Sequence, residues 1–268
     1  MKTRHSSFVL LPLLASGVLT AQTCGNPAGA KGRGQWTMAF SGAFQTLDQG
    51  TQTAESRRLF FKTQYGLANG LDAYGLIGGV ELAMKHNSPG FSVSRDKYRF
   101  AYGAGFSFMT GNPNARTAGQ TRLRRARNSN PLVFFGGGRV IRYPSDVTYR
   151  NTGDYWTREF RLKYDFREAA GHAGILLPGK TLSFYAGGAV WALQRLDEKT
   201  QTLTDFDGNA AVIGTKKGKY QSGLWTGGLV GIQYDLPENY SLAVEGIAFN
   251  QEYYQIMIGI SQTGIRPW

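Results

Sequence analysis

The stretch Gln35-Trp36-Thr37-Met38-Ala39-Phe40-Ser41-Gly42-Ala43-Phe44-Gln45 decides how this chain is read. On an extended backbone, Trp36, Met38, Phe40, Gly42 and Phe44 fall on one side. Gln35, Thr37, Ala39, Ser41, Ala43 and Gln45 fall on the other. A period of two means a β-strand with two chemically different faces. About 9–11 residues is also the length a tilted strand needs to cross a bilayer. Rings on one face and slim residues on the other fit a strand with lipid outside and a narrow enclosed axis inside.

The pattern recurs to the end of the chain. Further strands are predicted at 57–67, 71–84, 98–109, 132–143, 155–166, 181–193, 220–234, 240–249 and 253–261. Asn69-Gly70 between the second and third is a hairpin signal, because both residues tolerate positive φ. Leu236-Pro237-Glu238-Asn239 reads as a second tight turn. Gly136-Gly137-Gly138 suggests a bend or bulge. The expected fold is all-β: an antiparallel up-and-down transmembrane β-barrel of about ten strands, with eight to twelve as its range. The intervals 46–55, 85–97, 144–154, 194–219 and 250–252 read as loops.

Large rings oppose Gly, Ala and Ser in most strands, whereas a soluble barrel would gather its bulky residues inside. The 155–166 strand admits both readings. There Trp156, Phe160, Leu162, Tyr164 and Phe166 alternate with Thr157, Glu159, Arg161, Lys163 and Asp165. In a membrane barrel the charged face would line the lumen.

Bulk composition agrees. The chain has 268 residues, 36 of them Gly, 14 Tyr and 16 Phe. It contains no run of 18 apolar residues, the signal of a spanning helix. Residues 1–21 are expected to be a secretory signal: Lys2 and Arg4 precede the short apolar run that begins at Phe8, and Ala21 is a plausible cleavage point. Residues 22–34 read as a flexible segment and 35–268 as the barrel. The formal charge is +12; without Lys2 and Arg4 it is +10. Export favours anionic lipid and lipopolysaccharide as partners and argues against nucleic acid. Cys24, the single cysteine, follows Ala21-Gln22-Thr23, a poor match to a lipid-attachment site.

The chain resembles the bacterial outer-membrane β-barrel proteins of the small porin-like group. The resemblance is carried by the signal-like start, the aromatic-alternating strands, the 65–71 hairpin and the aromatic end at Trp268, beside which Pro267 is a departure. It implies a periplasmic N-terminus, insertion by the barrel-assembly machinery and lodging in the outer membrane.

Candidate chemistry is sparse. Arg58, Lys62, Glu81, Arg99, Glu159, Arg161, Lys163 and Glu245 are the expected lumen charges, which could set ion selectivity. Arg116, Arg122, Arg124, Arg125 and Arg127 form a basic segment suited to phosphate groups. His86 and Ser88 could form a hydrolytic pair, but they lie beside a turn and lack an orienting carboxylate. No zinc cluster, calcium loop or phosphate loop is present, so no cofactor is expected. The reading is a non-enzymatic narrow pore or solute-uptake channel. Its alternative is a plugged structural or surface-interaction barrel binding through the 194–219 loop; a lipid hydrolase is a distant third.

Overall fold

A computed structural model describes residues 33–48, 52–86, 94–110, 132–153, 156–179, 181–205, 208–221, 223–249 and 253–265. The signal-like segment, Cys24, Ser88, the 116–127 arginines and Trp268 lie outside them. The strands are β1 (Trp36–Asp48), β2 (Gln52–Ala68), β3 (Leu71–His86), β4 (Ser94–Arg95), β5 (Arg99–Met109), β6 (Val133–Gly153), β7 (Trp156–Leu177), β8 (Leu182–Asp205), β9 (Ala210–Gln221), β10 (Trp225–Asp235), β11 (Tyr240–Phe249) and β12 (Tyr253–Ile265).

Ten of these strands close a ring. Each pairs antiparallel with the next, from β1 through β2, β3, β5, β6, β7, β8, β10 and β11 to β12. The last strand returns to the first, from Leu47 opposite Tyr253 to Thr37 opposite Thr263. Closure leaves no unpaired edge within the ring, which a bilayer requires because it offers no water to backbone groups. β4 is a short strap on β3, and β9 is an extension paired only to β8.

The outer wall carries an apolar belt. Met38 and Phe40 on β1, Phe61 and Tyr65 on β2, Phe100, Tyr102, Phe106 and Phe108 on β5, Phe184 and Val190 on β8, and Ile256 and Ile260 on β12 all face outward. On β2 the outward residues from 59 to 67 include no charge; the same holds for 71 to 79 on β3 and 169 to 177 on β7. Each interval is about the span of a hydrocarbon core. The first outward charges, Arg57, Glu81, Arg142 and Arg167, all stand at its far side. The belt and the closed ring make this a transmembrane barrel.

Tight turns gather at one end. Gly70 has φ +77, and a Cβ there would lie 2.2 Å from the Met109 carbonyl oxygen. Only glycine fits the hairpin both conformationally and sterically. Pro237–Asn239 forms a 3-10 turn, with Glu238 and Asn239 at positive φ. The ends of the 111–131 connection are tied by the Thr110 N–H to the Phe134 carbonyl, 2.8 Å.

The other end is uneven. Within the segments 144–154 and 194–219, expected as loops, residues 144–153, 194–205 and 210–219 instead prolong β6, β8 and β9, which with β7 form a four-stranded sheet above the rim. The predicted strand at 220–234 is divided: β9 pairs the upper half of β8 and β10 the lower half. Polar composition suggested loops there. Outside the bilayer, however, a strand needs only a half-polar face, and these segments supply one.

Candidate lumen site

The inward faces follow from strand parity. On β1 the inward row is Thr37, Ala39, Ser41, Ala43, Gln45 and Leu47, the slim face expected. On β3 the expectation fails: Tyr74, Leu76, Val80, Leu82 and Met84 point into the barrel, while Gly75, Ile77 and Gly79 point out. The β3 register requires this. Val80 is opposite Arg58 and Leu76 opposite Lys62, and both partners face inward.

Expected lumen charges therefore divide. Arg58, Lys62 and Glu245 lie on inward rows. Glu81 is corrected to the outer wall, opposite Arg57 and ion-paired with Arg95. Glu159, Arg161 and Lys163 are likewise corrected to the outer face of β7, in its part above the belt. Past Ala169 the strand has left the hydrocarbon, and the soluble rule returns: charges outward, rings inward. Tyr164 and Phe166 accordingly turn inward. Arg99 begins β5 on the inward row, opposite Val80, where its side chain is 41% exposed at the outer rim and paired with Asp96.

One feature crosses the lumen. Arg58 on β2 meets Glu168 on β7, far apart around the ring of strands. The guanidinium donates through Nη1 to Oε2 at 2.7 Å and through Nη2 to Oε1 at 2.6 Å. Such a bidentate fork is the strongest ion-pair geometry. Tyr143 on β6 donates its hydroxyl to Glu168 Oε1 at 2.6 Å and accepts from Arg58 Nη2 at 3.2 Å. Arg58 Nε donates to Ser56 Oγ at 3.0 Å. The side chains of Arg58 and Glu168 are 2% and 3% exposed, so this layer fills the lumen at its height.

Rings roof the bridge toward the outer end. Tyr143 stacks on Phe166 at 4.9 Å, and Trp191 stacks on Tyr253 at 4.8 Å. Trp225 and Phe249 pack against the same pair. Between bridge and roof is a cavity of about 30 Å³, bounded by Leu47, Ser56, Met84, Trp191 and Arg195. That is room for a water. Toward the short-turn end the lumen carries hydroxyls and amides on β1, β2 and β12, and buried rings on β6 and β8, where Phe135 meets Tyr185 edge-on at 5.7 Å. Gln64 donates to Asp72, and the Ser241 and Ser261 hydroxyls meet at 2.8 Å. Lys62 lies over the Tyr74 ring at 4.6 Å.

Glu168, Tyr143, Arg139 and Asp72 are inward groups the sequence reading missed. Glu168 carried a signal: it is the lone acid on the ring-bearing face of β7, in line with Phe160, Leu162, Tyr164 and Phe166. Among the described residues no group of acidic, His and Cys side chains could hold a metal ion. His86 ends β3, with Ser88 beyond the described residues.

No protein-family model matches the chain, and no curated protein matches it. Several solved structures are similar in outline. The translocator domain of the autotransporter NalP from Neisseria meningitidis is 10% identical, covering 88% of this chain and 89% of that one, with a TM-score of 0.46. The outer membrane protease OmpT from Escherichia coli is 10% identical, covering 90% and 99%, with a TM-score of 0.41. The β domain of the Bordetella autotransporter BrkA is 12% identical, covering 87% and 100%, with a TM-score of 0.39. Membrane assignment rests on the belt and the ring themselves. Both belong to the architecture of a transmembrane β-barrel, whose strands here project farther at one end than at the other.

Proposed function

We propose that this chain is a narrow, non-enzymatic outer-membrane pore whose path is held shut by the Arg58–Glu168–Tyr143 bridge. The carrying observation is the bridge itself, a charged and fully hydrogen-bonded tie between opposite walls. A lumen that only had to be filled would be as stable, or more so, with apolar side chains of the same volume. Buried ion pairs lose much of their attraction to desolvation. A polar closure above a half-lumen with hydroxyls and amides along one wall suits a barrier that water and small solutes cross when the tie opens. Arg58, Glu168 and Glu245 then set the selectivity of the open state, as charged constrictions do elsewhere.

Planar-bilayer recording tests this. The wild-type barrel passes little or brief current, and Glu168→Gln lengthens its openings because a neutral amide holds the guanidinium less tightly. If wild type, Glu168→Gln and Arg58→Ala all insert, run as folded barrels on unboiled gels and stay silent, the pore reading fails. The non-conducting, surface-interacting barrel then takes its place.

A further inference from the structure

The register of β5 to β9 aligns two rows of outward residues across the wall. Tyr102 stands opposite Arg142, Arg142 opposite Arg167, Arg167 opposite Gln194, and Gln194 opposite Gln221. This polar row lies where the belt ends. One step below it, inside the belt, Ala104 is opposite Val140, Val140 opposite Ala169, and Ala169 opposite Ala192. Small residues here leave a hollow beneath the longer side chains above. It is a groove of about 670 Å³ on the membrane face of the barrel.

The two arginines supply an independent sign of a missing anion. Arg142 and Arg167 are directly opposed on neighbouring strands, an arrangement that is destabilising for like charges. They share one carboxylate. Asp165 takes Arg142 Nε and Nη2 at 2.9 Å each and meets Arg167 Nη2 at 3.6 Å. Their side chains remain 49% and 50% exposed. Arg142 Nη1 also donates to the Tyr102 hydroxyl at 3.5 Å, so the row keeps a net positive charge at headgroup height above an apolar hollow, with most of its uncommitted donors on Arg167.

We propose that this groove binds a phosphorylated lipid of the outer leaflet, of the lipid A class, with an acyl chain on the Ala104–Ala169–Ala192 shelf and a phosphate on Arg142 and Arg167. Tyr102, Gln194 and Gln221 are placed to donate to sugar and phosphate oxygens. Guanidinium groups are well matched to phosphate by their forked donors. The assignment is independent of whether the lumen conducts.

The test uses the full chain, delipidated and placed in phosphatidylcholine nanodiscs doped with lipid A, dephosphorylated lipid A or phosphatidylglycerol. Bound lipid is read by native mass spectrometry. Wild type retains lipid A. The Arg142→Gln/Arg167→Gln double variant retains it roughly ten-fold or more weakly, the scale expected from losing charge-assisted bonds. Arg161→Gln, on the same face but above the row, leaves retention unchanged. Ala169→Trp, which fills the shelf without touching a charge, also weakens it and decides the matter if the double variant does not fold. Equal retention by the folded double variant or by Ala169→Trp overturns the proposal. So does equal retention of dephosphorylated lipid A or of phosphatidylglycerol by wild type.

Discussion

At the scale of single residues, the cross-lumen bridge concentrates the energetic risk. Each partner is tolerable only because the other is present. Glu168→Ala leaves the Arg58 guanidinium buried without its counter-charge, and breaking a buried pair in this way costs about 3–5 kcal/mol. Replacing both, Arg58→Leu with Glu168→Leu, removes the charge and the desolvation together and is expected to be near neutral. Urea unfolding in lipid vesicles, followed by Trp fluorescence, distinguishes the two; equal losses would contradict the bridge's geometry. Gly70→Ala makes a second residue-scale prediction. Left-handed backbone alone costs an L side chain about 1–2 kcal/mol, and the Met109 carbonyl blocks the new methyl. Loss should appear in the same unfolding assay. An unaffected Gly70→Ala barrel would mean that the hairpin turns differently.

At the scale of elements, β7 is two strands in one. Its lower half faces lipid with Ala169, Gly171, Ala173 and Ile175, and its upper half faces water with Arg167, Lys163, Arg161 and Glu159. The upper half is stitched to β6 by Arg161 to Asp146 and Arg150 to Glu159, each at 2.9 Å. The hydrogen bond from Arg161 holds the Asp146 carboxyl below its ordinary range, against a smaller opposing effect of burial. A lowered pKa contributes stability above the unfolded value, near 3.9, and loses it as pH falls through the folded one. Protease nicking of the projecting sheet should therefore be level from pH 8 to about 5 and rise only below about 4. Arg161→Gln should remove that acid-side step; a step unchanged by Arg161→Gln would assign it to another carboxyl.

For the whole molecule, the decisive boundary is the edge of the hydrocarbon, because the same outward face obeys opposite rules on its two sides. Ala173→Arg places a cation on the lipid face and should cost about 2–4 kcal/mol near the midplane. Lys163→Ala, ten residues along the same face, should change stability by less than about 0.5 kcal/mol. Unfolding titrations of the two variants locate the boundary directly. Comparable costs would mean that β7 is not crossing a bilayer where the belt places it. The ring explains why the count of ten survived errors in the individual strands. Misjudging where a strand ends does not alter how many times the chain turns back at the short-turn end.

Local alternation was enough to establish an all-β transmembrane barrel, because a period of two is visible in any ten-residue window. The Asn69-Gly70 turn and the outward stripe Tyr254-Ile256-Ile258-Ile260 were legible for the same reason. Which face looked inward was not legible for β3 or upper β7, since an alternating strand has two faces and no label for either. Register against neighbours supplied that label: Val80 had to share a side with Arg58, and Lys163 with Asp146. The bridge from Arg58 to Glu168 was further out of reach. It joins residues 110 positions apart in the chain, and only closing the ring brings those two walls face to face.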